Sequence, residues 1–390
     1  MLSTTRTLSL AYLAYFGVLG VFVPYIGIYL DSRGLDSMQI GTVLAIVTGM
    51  RIIGPNVWAL LAERQRDPVG VMRKGAVLAV LGWCATLLPL DYWPLVAALA
   101  LYSFCWTAIL PQLETSAFHY LENDTARYSR VRSAGSVGYI ILVMLGGYLL
   151  QHLGAGFLPA SALLFLCLML VVLWQLPKFV PGAQSTTAPI KFRSLWGHSA
   201  FFRFMFAAFL LQISFAPFYS FFTMFCRDLG YTGTQSGLLI AVAVAAEIVA
   251  FYFAGKVLQG RSYRVLLGFC YAVTGVRWAL TGVLGGSAWV LSALMLLHAF
   301  SFAIAHSCAM QFIQQFFPEQ QRSRGQALYA GLVYGGGGAV GAYLAGISWQ
   351  NGQGGVQTFV LAGVVALLAA VLAWSLPPSI EPISGQAERP

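Results

Sequence analysis

"GLDSMQIGTVLA", residues 34–45, returns in altered form as "GYTGTQSGLLIA", residues 230–241. Both read G-[LY]-x-x-x-Q-x-G-x-x-x-A, and 230 − 34 sets them 196 residues apart in a chain of 390. A proline in an aromatic setting precedes each copy, "FVPY" at 22–25 and "FAPF" at 215–218. A further correspondence is Arg-x-Arg, at 130–132 and again at 322–324. Each match alone is weak. Together, at an offset of about half the chain, they predict a duplicated bundle built from two related halves.

The composition says what kind of bundle. The chain is 58% hydrophobic and only 9% charged, against about 25% charged in a soluble domain. So few charges cannot cover a water-soluble globule of this size. Apolar stretches of about 20 residues recur along the whole length, as membrane-spanning helices require. Twelve spans are predicted, at about 8–30, 39–61, 70–90, 93–121, 131–152, 156–177, 201–226, 235–256, 264–284, 288–317, 325–348 and 355–376. The expected fold is an all-α membrane protein with twelve transmembrane helices in two pseudo-symmetric six-helix bundles. The bundles are expected at 1–177 and 201–377, joined by a cytoplasmic linker at 178–200 and followed by a tail at 378–390. The linker is the one long polar interruption, rich in Pro, Gly, Ser and Thr.

Lysine and arginine set the orientation. One set of alternate loops and ends holds most of them, among them Arg64, Arg66, Arg73, Lys74, Arg127, Arg130, Lys178, Lys256, Arg261, Arg322 and Arg324. The opposite set holds Arg33 and Arg227. Both termini are therefore expected on the cytoplasmic side of a bacterial-type inner membrane. The net charge of +9 is spread over short loops and forms no basic domain, which argues against a nucleic-acid partner. The six cysteines lie in apolar stretches with no CxxC and no metal-type spacing, so they read as packing residues. No metal and no cofactor are expected, and the chain is expected to act as a monomer.

Charges inside the spans are expensive and mark function by default. Arg51 lies in the second span; it either snorkels to the interface or faces a cavity. Adding 196 to 51 gives Glu247, so opposite charges fall at equivalent positions of the two halves. Glu247 must be paired, protonated or wetted, and Arg277 of the ninth span is its natural partner, for packing or for transport. Glu114 and Arg132 form a second candidate pair, unless Arg132 merely belongs to the basic loop set. His298 and His306 share the tenth span with Ser301 between them. On an ideal α-helix they differ by about 80° around the axis and about 12 Å along it, one broad face that suits a cavity wall. Arg51, Arg132 and Arg277 outnumber Glu114 and Glu247 by one, which suits a small monoanion. Aromatics crowd the first and seventh spans, Tyr25 and Phe218 among them. Any that face inward would stack on an apolar or aromatic body. The glycine-rich stretches "GSVGYIILVMLGG" (135–147) and "YGGGGAVGAYLAG" (334–346) read as close helix contacts.

With these residues the chain resembles the major facilitator superfamily, and within it the 3-phenylpropionate transporter branch. The resemblance runs over nearly the whole length. It is carried by "AYFGVLGVFVPYIGIYL", "GMRIIG", "VAAEIVAF", "GVRWALTG" and "LHAFSFAIAHSCAM". The superfamily's usual loop motif after the second helix is degenerate here, as "WALLAERQRD" (58–67). Lactose permease is a more distant likeness. It implies that Glu114, Arg132 and Tyr139 contact substrate, and that Glu247, Arg277 and His298 form a coupling group. Ser301 departs from it, standing where that permease has its proton-carrying glutamate. If proton coupling exists here, Glu247 or a histidine must carry it.

The expected function is a secondary active transporter working by alternating access, a proton-coupled symporter of a small aromatic monocarboxylate. Substrate contacts are expected at Arg51, Glu114, Arg132, Tyr139, Tyr25 and Phe218, and proton coupling at Glu247, Arg277, His298 and His306. Its partners would be that small molecule, protons and the lipid bilayer. A sugar or nucleoside symporter and a drug-type efflux transporter remain alternatives. An enzyme is not expected, since no HExxH, paired-aspartate motif or clustered metal ligands occur.

Overall fold

A computed structural model describes residues 3–122, 124–180, 195, 198–378 and 383. Most of the expected linker and tail lies outside the described residues. Among the described residues twelve helices are long and apolar enough to cross a membrane. They are α1 (Thr4–Phe22), α2 (Ser37–Gln65), α3 (Pro68–Leu87), α4 (Tyr92–Tyr120), α5 (Ala126–Leu153), α6 (Ala155–Trp174), α7 (Ser199–Ser220), α8 (Gly233–Leu258), α9 (Tyr263–Leu284), α10 (Ala288–Phe316), α11 (Glu319–Gly352) and α12 (Gly355–Trp374). The spans expected at 8–30 and 201–226 each stop early. α1 yields to a turn around Pro24 and a short helix Ile26–Ser32; α7 yields to a short helix Phe222–Asp228. Apolar residues flank both breaks, so hydropathy runs through them.

The repeat that opens the sequence is two successive helix boundaries. After Ile26–Ser32 the chain turns through Gly34 at φ 82°, and after Phe222–Asp228 through Gly230 at φ 86°. Glycine adopts this left-handed backbone without a Cβ penalty. The N–H of Gly34 donates to Asp31 and that of Leu35 to Leu30; Gly230 and Tyr231 donate likewise to Arg227 and Cys226. These are matching Schellman closures. Two residues past each glycine a capping box begins. Asp36 and Gln39 exchange side chain-to-backbone hydrogen bonds at the start of α2, and Thr232 and Gln235 do so before α8. The shared glutamine satisfies a backbone donor that the helix end would otherwise leave orphaned.

By contacts the described residues divide into two compact units. The first draws on Met1–Ala183, Pro217–Ala241 and Ala342–Gly354; the second draws on Gln184–Ala216, Val242–Gly341 and Gly355–Pro390. The first unit thus takes in the start of α8 and the end of α11 as well as α1–α6. Close backbone approach explains this. A Cβ on Gly147 of α5 would stand 2.3 Å from the carbonyl oxygen of Gly233, and one on Gly41 of α2 would stand 2.6 Å from Cα of Gly346. The glycine stretches at 135–147 and 334–346 therefore do serve helix contact. Tyr25, fully buried, donates to the Val143 carbonyl at 2.5 Å beside these glycines. Arg227 bridges Asp31 and Asp228, and Thr223 donates to the Pro24 carbonyl.

A further latch joins α2 to the end of α11. Asn351 holds φ 54°. Its Oδ1 accepts from the N–H of Ser37 at 2.9 Å and from its hydroxyl at 2.7 Å, while its own N–H donates to the Ser37 hydroxyl at 2.6 Å. At the arginine-rich end of the same unit Asp67 accepts from the Gly70 N–H and from Lys178, both at 2.8 Å. Burial pushes its carboxyl up, but those two partners outweigh it and hold it below the usual carboxylate range.

In the second unit α9 and α12 meet at Gly275 and Gly363, where each glycine faces the other's carbonyl. Two helices there contain wide π-helical turns, Ala299–Ile304 in α10 and Ala330–Gly337 in α11. Asn351→Ala is expected to lower the thermal unfolding midpoint of the detergent-solubilised protein. It removes the two hydrogen bonds to Oδ1, worth roughly 1 kcal/mol each, and adds left-handed strain. Asn351→Gly loses the side-chain bonds without that strain and should cost less; equal midpoints for both variants and the parent would remove the latch.

Candidate functional site

The intramembrane charges fall into separate clusters, one in each unit plus Arg51. In the second unit α9 carries Arg277, fully buried, with its guanidinium carbon 4.2 Å from the centre of the Trp278 ring. Its Nη1 lies 3.0 Å from Nδ1 of His298, and its Nη2 3.6 Å from the Met295 sulfur. On the other side of the imidazole, Nε2 lies 3.3 Å from Oε2 of Glu247 on α8. The expected Glu247–Arg277 pair is thus bridged by His298, which is only 3% exposed.

This bridge determines the protonation of His298. A guanidinium can only donate, so Nδ1 must accept. The ring proton then sits on Nε2, where it donates to the Glu247 carboxylate. Arginine, neutral imidazole and carboxylate form a chain in which each ring nitrogen of His298 meets a complementary group, as burial demands.

α10 places the second histidine in line with the first. His298 stacks on Phe302 with ring centres 5.8 Å apart and planes 10° from parallel; Phe302 stacks on His306 at 5.7 Å and 4°. Between them runs a π-helical turn, wider than the α-helical one on which the offset of about 80° rests. His306 Nδ1 lies 2.7 Å from the Tyr334 hydroxyl, and Tyr334 stands in the π-helical segment of α11. His306 and Tyr334 line a small cleft together with Gln212, Ser301, Phe302 and Tyr329. Ser301 is satisfied locally, donating to the Leu297 carbonyl at 3.1 Å.

In the first unit Glu114 of α4 and Arg132 of α5 are paired, with Nε and Oε1 3.4 Å apart. The guanidinium sits 4.1 Å above the Phe16 ring and 5.5 Å from that of Tyr12, both on α1. The other Glu114 oxygen accepts from the Tyr128 hydroxyl. Arg51 belongs to the same unit. It stands 14 residues from each end of α2, the 29-residue helix Ser37–Gln65. Its side chain is exposed, and among the described residues it makes no hydrogen bond or ion pair with an acid. Its charge reaches the hydroxyls of Tyr15 and Tyr102, and Tyr15 stacks on Trp106 at 4.5 Å.

Other expected contacts are placed elsewhere. Tyr25 is buried in the glycine seam of the first unit. Phe218 is 8% exposed and packs against Tyr219 and Phe222. Tyr139 is half-buried on α5, where its carbonyl backs onto Gly20. Sequence reasoning missed Tyr128, Tyr334, Gln212 and Phe302. For Phe302 a signal exists, since 298, 302 and 306 are spaced four apart. Tyr334 lies 28 residues from its histidine, and no local pattern announces it. Among the described residues no group of His, Cys, Asp and Glu is arranged to hold a metal ion.

Comparison with known proteins agrees with this architecture. The chain is 27% identical over 390 residues to the probable 3-phenylpropionic acid transporter of Escherichia coli (strain K12), covering 97% of this chain and 100% of that one. It is 27% identical over 369 residues to the maltose permease of Geobacillus stearothermophilus, covering 92% of each. Among solved structures, the nucleoside transporter NupG superposes with a TM-score of 0.83 at 14% identity, over 96% of this chain and 98% of that one. The D-xylose–proton symporter gives 0.75 at 13% identity, over 98% of each. These likenesses carry the fold: twelve transmembrane helices in two pseudo-symmetric six-helix bundles, the major facilitator fold. The model of the MFS_1 like family matches residues 5–361: the chain belongs to that family and is a multi-pass membrane transporter.

Proposed function

We propose that this transporter is a proton-coupled symporter of a small aromatic monocarboxylate, working by alternating access with both termini in the cytoplasm. The observation that carries the substrate class is the state of the three intramembrane arginines. Arg132 is matched by Glu114, and Arg277 is linked through His298 to Glu247. Arg51 has no acidic partner among the described residues. A guanidinium in a membrane span favours an anion strongly, and one unmatched positive charge calls for one negative charge. The aromatic wall of Tyr15, Tyr102 and Trp106 near it suits a ring attached to that carboxylate. The relative from Escherichia coli, a probable 3-phenylpropionic acid transporter, supports the same class.

Proton coupling falls to the other unit. The Arg277–His298–Glu247 chain carries one positive and one negative charge, and the field of Glu247 also reaches His306. A proton arriving beside this chain upsets its balance in a medium of low dielectric, which drives rearrangement.

A second reading has its own support. The Glu114 carboxylate and Arg132 guanidinium offer an acceptor and a donor beside the Phe16 face, a combination that suits the hydroxyls and apolar face of a sugar. The maltose permease relative points the same way.

Purified protein in liposomes separates these readings. With an inward proton gradient, 3-phenylpropionate should accumulate and protons should enter with it; absence of both would end the monocarboxylate assignment. Arg51→Gln should weaken binding of the acid by about 10- to 100-fold, the worth of one charge-assisted hydrogen bond, read by calorimetry. Glu247→Gln should abolish uphill accumulation but leave substrate exchange; unchanged accumulation would remove Glu247 from coupling. Arg132→Gln that destroys binding of a neutral sugar, with phenyl acids never bound, would favour the second reading.

A further inference from the structure

The two histidines of α10 are stacked on the same phenylalanine, yet their partners differ in one chemical respect. His298 Nδ1 faces Arg277, which can only donate. A second proton on that ring would set an N–H against an N–H beside a permanent positive charge. His298 is therefore held neutral for as long as Arg277 stays in place. His306 Nδ1 faces the Tyr334 hydroxyl at 2.7 Å, and a hydroxyl can donate or accept. With the imidazole neutral the hydroxyl donates to Nδ1. With the imidazole charged, Nδ1–H donates to the hydroxyl oxygen and the hydroxyl proton turns away. The hydrogen bond survives both states.

We infer that His306, positioned by Tyr334, is the histidine that binds and releases the transported proton, while His298 is a fixed neutral bridge. The proton comes from water at the cleft, adds to the Nδ1 lone pair as the Tyr334 hydroxyl turns from donor to acceptor, and leaves to water by the reverse step; the net change is one positive charge on the ring. His306 is only partly buried and lines the cleft, whereas His298 is sealed. The groups that face His306 suit this change. From α8 come the Glu247 carboxylate, within electrostatic reach, and the Phe251 ring edge-on at 6.3 Å. From α11 come Tyr334 and Tyr329, from α9 Tyr271, and from α7 the amide of Gln212. Along α10, Phe302 separates it from His298. Glu247 is the one charged member of this set. His306 follows directly on the π-helical turn of α10 and Tyr334 lies within that of α11, so the pair joins two irregular helix regions.

The assignment rests on the proton-coupled reading above, but it can be tested without any substrate. The full chain, labelled with 15N-histidine and reconstituted in lipid nanodiscs, is titrated by NMR from mildly acidic to mildly alkaline pH. His298→Asn and His306→Asn identify the two signal pairs among the five histidines. The His306 nitrogens should pass from the neutral to the imidazolium pattern. The His298 nitrogens should keep one protonated Nε2 and one accepting Nδ1 throughout. In Tyr334→Phe, which keeps the ring and removes the oxygen, His306 should need more acid to charge than in the parent chain, while a purely structural hydroxyl would leave the titration unmoved. A His298 signal that titrates, or a His306 signal that does not, overturns the assignment. In liposomes, His306→Asn should abolish the proton uptake that accompanies substrate. If 3-phenylpropionate is not carried by the parent protein at all, the substrate reading fails, while the nitrogen titration still decides which histidine takes the proton.

Discussion

No water reaches the hydrocarbon core of a bilayer to satisfy a stray N–H, C=O or charge. The polar groups within the spans are placed under that constraint. The backbone answers it with helices, and caps close the helix ends that leave it. That is why the recurring segment at 34–45 and 230–241 carries glycine, a capping side chain and glutamine at the same offsets. The glycine closes one helix, the Asp36 or Thr232 side chain opens the next, and the glutamine reaches back to the orphan donor. Asn351 does similar work for the start of α2 from a position 314 residues away.

The same constraint orders the side chains. Arg277 is fully buried and could not persist there alone. It is held by an imidazole whose other nitrogen reaches a carboxylate. Arg132 solves the problem differently, with one acid, two aromatic faces and partial exposure. Arg51 uses neither device among the described residues, which is why the proposed substrate site is centred on it.

Much of this was legible in the chain. Length and hydropathy predict twelve spans, and twelve helices of sufficient length are present among the described residues. The residues expected to carry charge chemistry, Glu114 with Arg132 and Glu247 with Arg277 and His298, do gather. The breaks after α1 and α7 were not legible, because apolar residues lie on both sides of them. Nor was the bridging role of His298, because sequence counts charges but does not order them in space. His298 and His306 do lie along one face, on either side of Phe302. The π-helical turn between them was not legible, because such a turn is set by packing and not by local composition.

What the sequence alone determined is the medium, the number of crossings, the duplication and the inventory of buried charges. These depend on composition and periodicity, which are additive along the chain. The tertiary structure alone decided which partner each group meets: an arginine for His298, a tyrosine 28 residues away for His306, an acid for Arg132, and no acid among the described residues for Arg51. A donor-only partner and a donor–acceptor partner give two chemically identical imidazoles different freedom to take up a proton. That difference arises from distances of about 3 Å between helices, which no local stretch of sequence encodes.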